Sequence, residues 1–227
     1  MPTPIHRLTK AEMVWLANHH CKAHRHPYLT HYNCYLKEHP DQSRVGFLDI
    51  EASHLTADIG IVLSWAIKGA GKGKPILSDV ITSEDITKAG LTGHEDKRIV
   101  TSLVEAMKQF DLLITYYGSR FDIPFIRTRA VAMGIEFPLH GTLKHRDAYD
   151  LVKHKFRLLS NRLVRANKAL LGKSDKTEID WTIWRAGARG NKKALAYILD
   201  HNEKDVTDLE KLYDVVVKYS RKYEPSV

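Results

Sequence analysis

Three short apolar runs in the first half of the sequence most constrain its fold, because they are rich in β-forming residues and are separated by polar or Gly-Lys-rich breaks. They cover residues 45–50, 59–68 and 75–82. Beyond them, apolar residues recur at helical spacing in several segments, and two further short runs have strand character. The predicted helices cover residues 94–110, 121–133, 148–156, 162–171 and 192–219, and the predicted strands cover residues 112–116 and 142–146. This order predicts an α/β fold whose mixed sheet begins as an antiparallel meander and continues with strand-helix alternation, flanked by helices.

The first 43 residues differ in composition from the rest. Residues 1–44 hold seven of the 13 histidines and both cysteines, Cys21 and Cys34. We therefore predict a small His/Cys-rich appendage over residues 1–43 and a main domain over residues 44–227.

Composition excludes several classes of protein. Hydrophobic residues make up 43% and charged residues 27% of the chain, which is the balance of a soluble globular protein and not of a disordered one. The apolar runs are far shorter than the roughly 20 residues that a membrane crossing needs, and residues 1–10 lack a signal-peptide apolar segment. We expect a cytoplasmic protein without membrane contact, in which the two cysteines stay reduced unless a metal holds them.

Positive charge is concentrated in one segment. The formal net charge is +8, and residues 120–193 carry 17 Lys and Arg against 7 Asp and Glu. Such an excess is a common footprint of polyanion binding, although a solvated basic surface without a ligand has the same appearance.

Carboxylates with a chemical pattern occur at three places. Asp49 and Glu51 are two residues apart in the first predicted strand, so both side chains point to one face, where a divalent cation would offset their repulsion. Asp122 falls in the opening turn of a helix after a strand and a Gly turn, and His201 and Asp205 are four apart on a late helix. Taken singly, each has an ordinary explanation: solvated acids, a helix-dipole partner, or a surface His-Asp pair.

In this order, the motifs Asp49-Ile50-Glu51, Gly118-Ser119-Arg120-Phe121-Asp122 and His201 through Asp205 resemble the three exonuclease motifs of the DEDD superfamily of 3′ to 5′ exonucleases. The resemblance spans residues 44–223. Among the subgroups of this superfamily, the sequence most resembles the one whose third motif reads Tyr-Asn-x-x-Asp-Val. Here His201 stands at the tyrosine position, with the spacing of the tyrosine type. The resemblance implies a ribonuclease-H-like fold.

The resemblance also implies a two-metal-ion mechanism. Asp49, Glu51, Asp122 and Asp205 would hold two Mg²⁺ or Mn²⁺ ions and hydrolyse a phosphodiester bond at the 3′ end of a nucleic acid, DNA or RNA, with a single-stranded end. His201 would take or orient the proton of the attacking water, since an imidazole titrates near neutral pH. As a metal ligand His201 is less favoured. Asp147 is either a fifth acid or a helix cap, and the cap is favoured.

A basic stripe supports nucleic-acid binding beside this site. Arg162, Arg165 and Lys168 are spaced by three on a predicted helix, and further cations precede or follow the second motif. The residues predicted to contact phosphates are Arg120, Arg127, Arg162, Arg165 and Lys168, with Arg129 and the segment 153–157 as further candidates. Tyr117, Trp181 and Trp184 could stack bases, although a tryptophan is more often part of a core.

The appendage contains four residues with metal-ligand chemistry in two tight pairs. Cys21 with His24, and His31 with Cys34, permit one tetrahedral structural zinc site, with His26 as an alternative to His24. The alternative is a basic, histidine-rich arm with reduced cysteines.

Two functions of different class follow from the sequence. The first is a metal-dependent 3′ to 5′ exonuclease. The second is a nucleic-acid-binding module on a ribonuclease-H-like fold with little or no catalysis of its own. The presence of all four acids favours the enzyme.

Overall fold

The computed structural model describes residues 8–39, 43–90, 92–139, 142–172 and 180–220. Its strands form one five-stranded sheet in the order β3-β2-β1-β4-β5. The strands are β1 (Val45–Ala52), β2 (Val62–Gly69), β3 (Ile76–Val80), β4 (Leu112–Thr115) and β5 (Lys144–Asp147). The meander β1-β2-β3 is antiparallel, whereas β4 runs parallel to β1 and β5 runs parallel to β4. The predicted mixed sheet is therefore confirmed.

Helices flank this sheet on both faces. The helices over the described residues are α1 (Lys10–Asn18), α2 (Tyr32–Glu38), α3 (Ser83–Ala89), α4 (Lys97–Met107), α5 (Asp122–Ala132), α6 (Ala148–Lys155), α7 (Leu163–Leu171), α8 (Trp181–Ala188) and α9 (Lys192–Val216). Of these, α1 and α2 pack in a separate N-terminal cluster. The predicted helices are present with slightly shorter bounds. α1, α2, α3 and α8 were not predicted, because each is short or lies in a polar segment. No helix in the described ranges has the length and apolar composition that a membrane crossing requires.

Side-chain alternation along β1 divides the core into two parts. Leu48 and Ile50 pack into the cluster formed with α4 and α5. Phe47 faces the opposite side and packs with α9, where its ring lies 5.7 Å from that of Tyr213. Asp49 and Glu51 alternate in step with Phe47, so they point towards α9. The predicted common face of the two acids is the face that α9 covers.

A buried ion pair joins three elements on the other side of the sheet. The guanidinium of Arg129 on α5 donates to both carboxylate oxygens of Asp96, at 3.0 and 2.6 Å. Asp96 also accepts the backbone N–H of Val62 at 2.9 Å, and both charged side chains are buried. The prediction that Arg129 belongs to a surface groove is therefore wrong, since its guanidinium group is buried and paired with Asp96.

This pair is expected to be important for stability. In Asp96→Ala the Arg129 cation stays buried without its carboxylate, which should lower the free energy of unfolding by about 3–5 kcal/mol. Chemical denaturation followed by circular dichroism measures the change. Glu84→Ala, which removes the exposed pair with Lys88, is the control and should leave the midpoint nearly unchanged. Equal midpoints for the two variants would contradict the assignment.

Candidate active site

Acidic side chains from three elements meet at one edge of the sheet. Asp49 and Glu51 lie in the second half of β1, Asp122 begins the helix after β4, and Asp147 ends β5. Because β1, β4 and β5 are parallel, their carboxyl ends lie at the same edge, where sites in α/β sheets commonly form. The sequence motifs therefore converge in space.

Asn202 of α9 holds the first of these carboxylates. Its side-chain amide donates to Asp49 Oδ2 at 2.6 Å, and its own oxygen accepts the hydroxyl of Ser64 at 3.4 Å. Asn202 is fully buried. The amide therefore fixes the orientation of Asp49 between the sheet and the helix.

Glu51 contacts two aromatic side chains. The indole N–H of Trp184 donates to Glu51 Oε2 at 3.1 Å, and His201 Nε2 lies 3.9 Å from Glu51 Oε1. His201 Nε2 is also 3.8 Å from Asp205 Oδ2. Ligand atoms of Glu51, His201 and Asp205 all lie within 4.8 Å of one another. The first and third motifs thus form a single cluster, in which His201 and Asp205 are buried.

Asp122 lies against the backbone between the two β1 acids. Its Oδ1 accepts the N–H of Ile50 at 3.0 Å, and its side chain is only 3% exposed. Burial raises the pKa of Asp122 to about 7, and the charge of Asp147 adds to this effect. The protein around Asp122 therefore disfavours its charge, a situation that a nearby cation reverses.

A tight turn places Asp122 at this point. Tyr117 has a positive φ of 71°, and a Cβ on Gly118 would lie 2.2 Å from Thr115 Oγ1, so only glycine fits there. The carboxylate of Asp147 accepts the backbone N–H groups of Tyr117 and Ser119 at 2.8 and 3.0 Å, and the Ser119 hydroxyl.

Asp147 also accepts the N–H of Tyr149 at 3.0 Å and caps α6. The two carboxylate oxygens of Asp147 thus accept hydrogen bonds from the turn before α5 and from the first turn of α6. The favoured sequence interpretation, a helix cap, agrees with the structure.

The donor set fits a hard divalent cation. Asp49, Glu51, Asp122 and Asp205 offer carboxylate oxygens, which Mg²⁺ and Mn²⁺ prefer. A buried carboxylate is unfavourable by itself, as the raised pKa of Asp122 shows. Metal binding at this edge would offset that cost.

The predicted phosphate contacts lie at varying distances from the acids. Arg120 is 3.0 Å from Asp150 and lies 5.5 Å from the ring centres of Tyr117 and Tyr149, beside the turn before α5. Arg127 lies over the ring of Phe137.

The basic stripe of Arg162, Arg165 and Lys168 is exposed at the start of and along α7. This helix packs near Leu212 and Val216 of α9. Leu212 is about 10 Å along the helix axis from Asp205, so the stripe lies beyond the acid cluster and not within it.

The contacts of two neighbours of the acids are not indicated by the sequence. Asn202 stands inside the third motif, yet nothing in the sequence assigns it a role. Trp184 is only 4% exposed, which agrees with the more common core role of a tryptophan and not with the alternative of base stacking, and its indole donates to Glu51. Trp181, by contrast, is exposed.

Trp184 reaches the site because α8 packs closely on α9. A Cβ on Gly187 would lie 2.6 Å from Ile198 Cδ1, so a larger residue there would require the Ile198 side chain or the helix to shift. The sequence signal for this contact is weak, since a single glycine within a helix has many explanations.

Similarities to known proteins agree with this architecture. A curated DNA polymerase from Methanocaldococcus jannaschii is 34% identical over 44 residues, which are 19% of this chain and 3% of the polymerase. The structure of the family B DNA polymerase from the hyperthermophilic archaeon Pyrobaculum calidifontis is similar with a TM-score of 0.58 and 16% identity, over 75% of this chain and 24% of the polymerase. The chain thus spans a small part of either polymerase, and the second likeness concerns the fold.

The family model RNase_H_2 matches residues 46–217, from the first strand to the end of the last helix. That range contains the whole sheet except the first residue of β1, and all the acids that meet at its edge. On this match the chain belongs to the RNase_H superfamily.

Proposed function

We propose that this protein is a metal-dependent 3′ to 5′ exonuclease that hydrolyses phosphodiester bonds of nucleic acid. The observation that carries the proposal is the cluster of Glu51, His201 and Asp205 ligand atoms within 4.8 Å, beside Asp49 and Asp122. Membership of the RNase_H superfamily supports nuclease-type chemistry in general. The direction of digestion is what the resemblance of the three motifs to those of the DEDD 3′ to 5′ exonucleases implies.

Asp49, Glu51, Asp122 and Asp205 would hold Mg²⁺ or Mn²⁺. When bound, two such ions supply Lewis-acid stabilisation of the charge that develops on the attacking and leaving oxygens. The protein itself prepares the ligands. Asn202 orients Asp49, Trp184 orients Glu51, and the Ile50 N–H orients Asp122.

His201 is held for proton transfer. Its ring stands edge-on to Trp184, with centroids 5.6 Å apart and an interplanar angle of 88°, and it stacks on Tyr197. Nε2 faces Glu51 and Asp205, so a water between these carboxylates would be within its reach. We assign to Nε2 the acceptance or orientation of that water's proton.

Nucleic acid would approach along the basic elements. Arg120 lies beside the turn that carries Asp122, and the stripe on α7 continues away from the acids. Backbone contacts of this kind bind phosphate without reading sequence. The exposed rings of Tyr117 and Trp181 remain candidates for base stacking.

The acids are tested by isosteric substitution. Asp49→Asn, Glu51→Gln, Asp122→Asn and Asp205→Asn should each lower the rate at least about 100-fold, because each weakens a metal ligand without removing packing volume. The assay is Mg²⁺- or Mn²⁺-dependent shortening of a 5′-labelled single-stranded oligonucleotide. Asp200→Asn, an exposed acid earlier on α9, is the control and should retain full activity.

Four outcomes separate the alternatives. Digestion of a linear strand but not of a circular one supports an exonuclease, and resistance of a strand with a blocked 3′ end supports the direction. Full activity in any of the four acid variants contradicts the metal-site assignment. Tight binding with no hydrolysis under any metal condition would indicate the nucleic-acid-binding module.

The role of His201 makes a separate prediction. His201→Ala should lose about 10²- to 10⁴-fold in rate while metal binding, measured by calorimetry, is retained. His201→Tyr should keep appreciable activity, because a phenol can orient water, but the acid limb of its pH profile should move or disappear. A wild-type rate and pH profile in His201→Ala would remove this residue from the mechanism, and loss of metal binding would make it a ligand instead.

The basic stripe is tested by salt dependence. Arg162→Ala combined with Arg165→Ala should weaken oligonucleotide binding regardless of sequence and reduce the slope of log affinity against log salt by about 1 to 2. Fluorescence anisotropy at several salt concentrations measures both effects. Lys88→Ala with Lys97→Ala removes the same charge from α3 and α4, and it should leave the slope unchanged. An unchanged slope in the α7 variant would place the groove elsewhere.

A further inference from the structure

A second cluster of ligand atoms lies in the N-terminal segment, far along the chain from the acids. It consists of the side chains of Cys21, His24, His31 and Cys34. Cys21 Sγ lies 3.9 Å from His24 Nδ1 and 3.7 Å from His31 Nδ1. Cys34 Sγ lies 3.4 Å from His24 Nδ1 and 3.9 Å from His31 Nδ1.

These separations are those of the edges of a zinc tetrahedron. With Zn–S near 2.3 Å and Zn–N near 2.0–2.1 Å, a tetrahedral site places sulfur and nitrogen ligands about 3.6 Å apart. Each sulfur here has both nitrogens near that distance. The four atoms therefore enclose one point at which a single ion can contact all of them.

We propose that Cys21 Sγ, His24 Nδ1, His31 Nδ1 and Cys34 Sγ hold one structural Zn²⁺. All four coordination positions are then filled by protein, which is typical of structural sites and leaves no position for substrate. This site is separate from the proposed nuclease centre and does not depend on it.

His26 acts in this proposal as a positioning residue and not as a ligand. Its Nδ1 lies 2.9 Å from His31 Nε2, on the side of the His31 ring away from Nδ1. When Nδ1 of His31 binds the metal, Nε2 of the same ring carries the proton and donates a hydrogen bond to Nδ1 of His26. Such a contact fixes the tautomer and the ring orientation of a ligating histidine.

Two short turns present the ligand pairs. In the first, Cys21 N–H donates to the carbonyl of His26 at 3.0 Å, Arg25 N–H donates to the carbonyl of Cys21 at 2.9 Å, and Arg25 has a φ of 56°. In the second, Cys34 N–H donates to the carbonyl of His31 at 2.8 Å at the start of α2. Both pairs therefore have the i, i+3 spacing that a local turn needs to bring two ligands together.

The small core around these turns explains why a metal would be needed. The buried residues of this cluster are Leu16, Cys21, Tyr28, Tyr32 and Leu36. A core of this size contributes little by itself, and small modules usually add a metal or disulfides. Zinc binding would then supply folding free energy for the segment.

The segment adjoins the edge of the sheet opposite to the acids. Tyr32 contacts Arg44, and Arg44 donates through its backbone N–H to Asp111 Oδ2 at 2.9 Å. Arg44 and Asp111 immediately precede β1 and β4, whereas the acids lie at or beyond the other ends of these strands. A zinc ion here would organise the appendage without touching the nuclease centre.

The test uses the 227-residue chain purified without added metal. Elemental analysis should find one zinc per chain. After replacement by Co²⁺, the visible spectrum should show tetrahedral ligand-field bands and thiolate-to-cobalt charge transfer. Asp49→Asn with Asp205→Asn should retain the zinc and the cobalt spectrum, which separates this site from the nuclease centre.

Variants of His24, His26 and Cys34 then decide which residues are ligands. His24→Ala and Cys34→Ser should lose stoichiometric zinc, whereas His26→Ala should keep it with an affinity lowered about 10- to 100-fold. Zinc retained in His24→Ala but lost in His26→Ala would overturn the assignment of ligands. If a variant does not fold, the cobalt spectrum of the wild-type chain still decides the coordination. A metal-free chain with a Cys21–Cys34 disulfide, found by mass spectrometry, would overturn the proposal altogether.

Discussion

The structure depends on a conflict between burial and charge along β1. One side of this strand belongs to the main core, and the other side places two carboxylates under the longest helix. Unpaired acids in that position would destabilise the fold. The surrounding elements supply hydrogen-bond donors to these acids. The amide of Asn202 donates to Asp49, and the indole of Trp184 donates to Glu51. The backbone N–H of Ile50 in β1 donates to the neighbouring acid Asp122. The same donors orient the carboxylates towards one another. The hydrogen bonds that offset the cost of burying these acids therefore also set the geometry of the site.

Much of this could be predicted from the sequence, because periodicity and local spacing were sufficient. The strands of the sheet, the shared face of Asp49 and Glu51 and the placement of His201 and Asp205 on one helix follow from side-chain alternation and from the helical repeat. Trp184 and Arg129 could not be assigned in this way. Their partners, Glu51 and Asp96, are distant in sequence, so no local spacing indicates the contacts. Only the packing of α8 on α9, and of α5 on α4, decides that they are buried.

The two ends of the parallel strands carry different chemistry. Hard oxygen donors gather at the carboxyl ends, and the sulfur and nitrogen donors of the N-terminal segment lie near the opposite ends. The two proposed sites therefore differ in ligand type, since thiolate favours zinc and carboxylate suits magnesium or manganese. If both hold ions, the different ligands and the separation along the strands would act together to keep a structural ion distinct from a reactive centre.

Gly187 shows where the site is vulnerable to inherited change. A Cβ there would lie 2.6 Å from Ile198 Cδ1, so either that buried methyl group or helix α8 would have to shift. A shift of α8 would move the indole of Trp184, which donates to Glu51. A residue outside all three motifs, with no functional group of its own, can therefore affect the orientation of a carboxylate. When sequences of this superfamily are compared for loss of function, intact motifs alone are an insufficient criterion, and the small residues that set helix approach have to be compared as well.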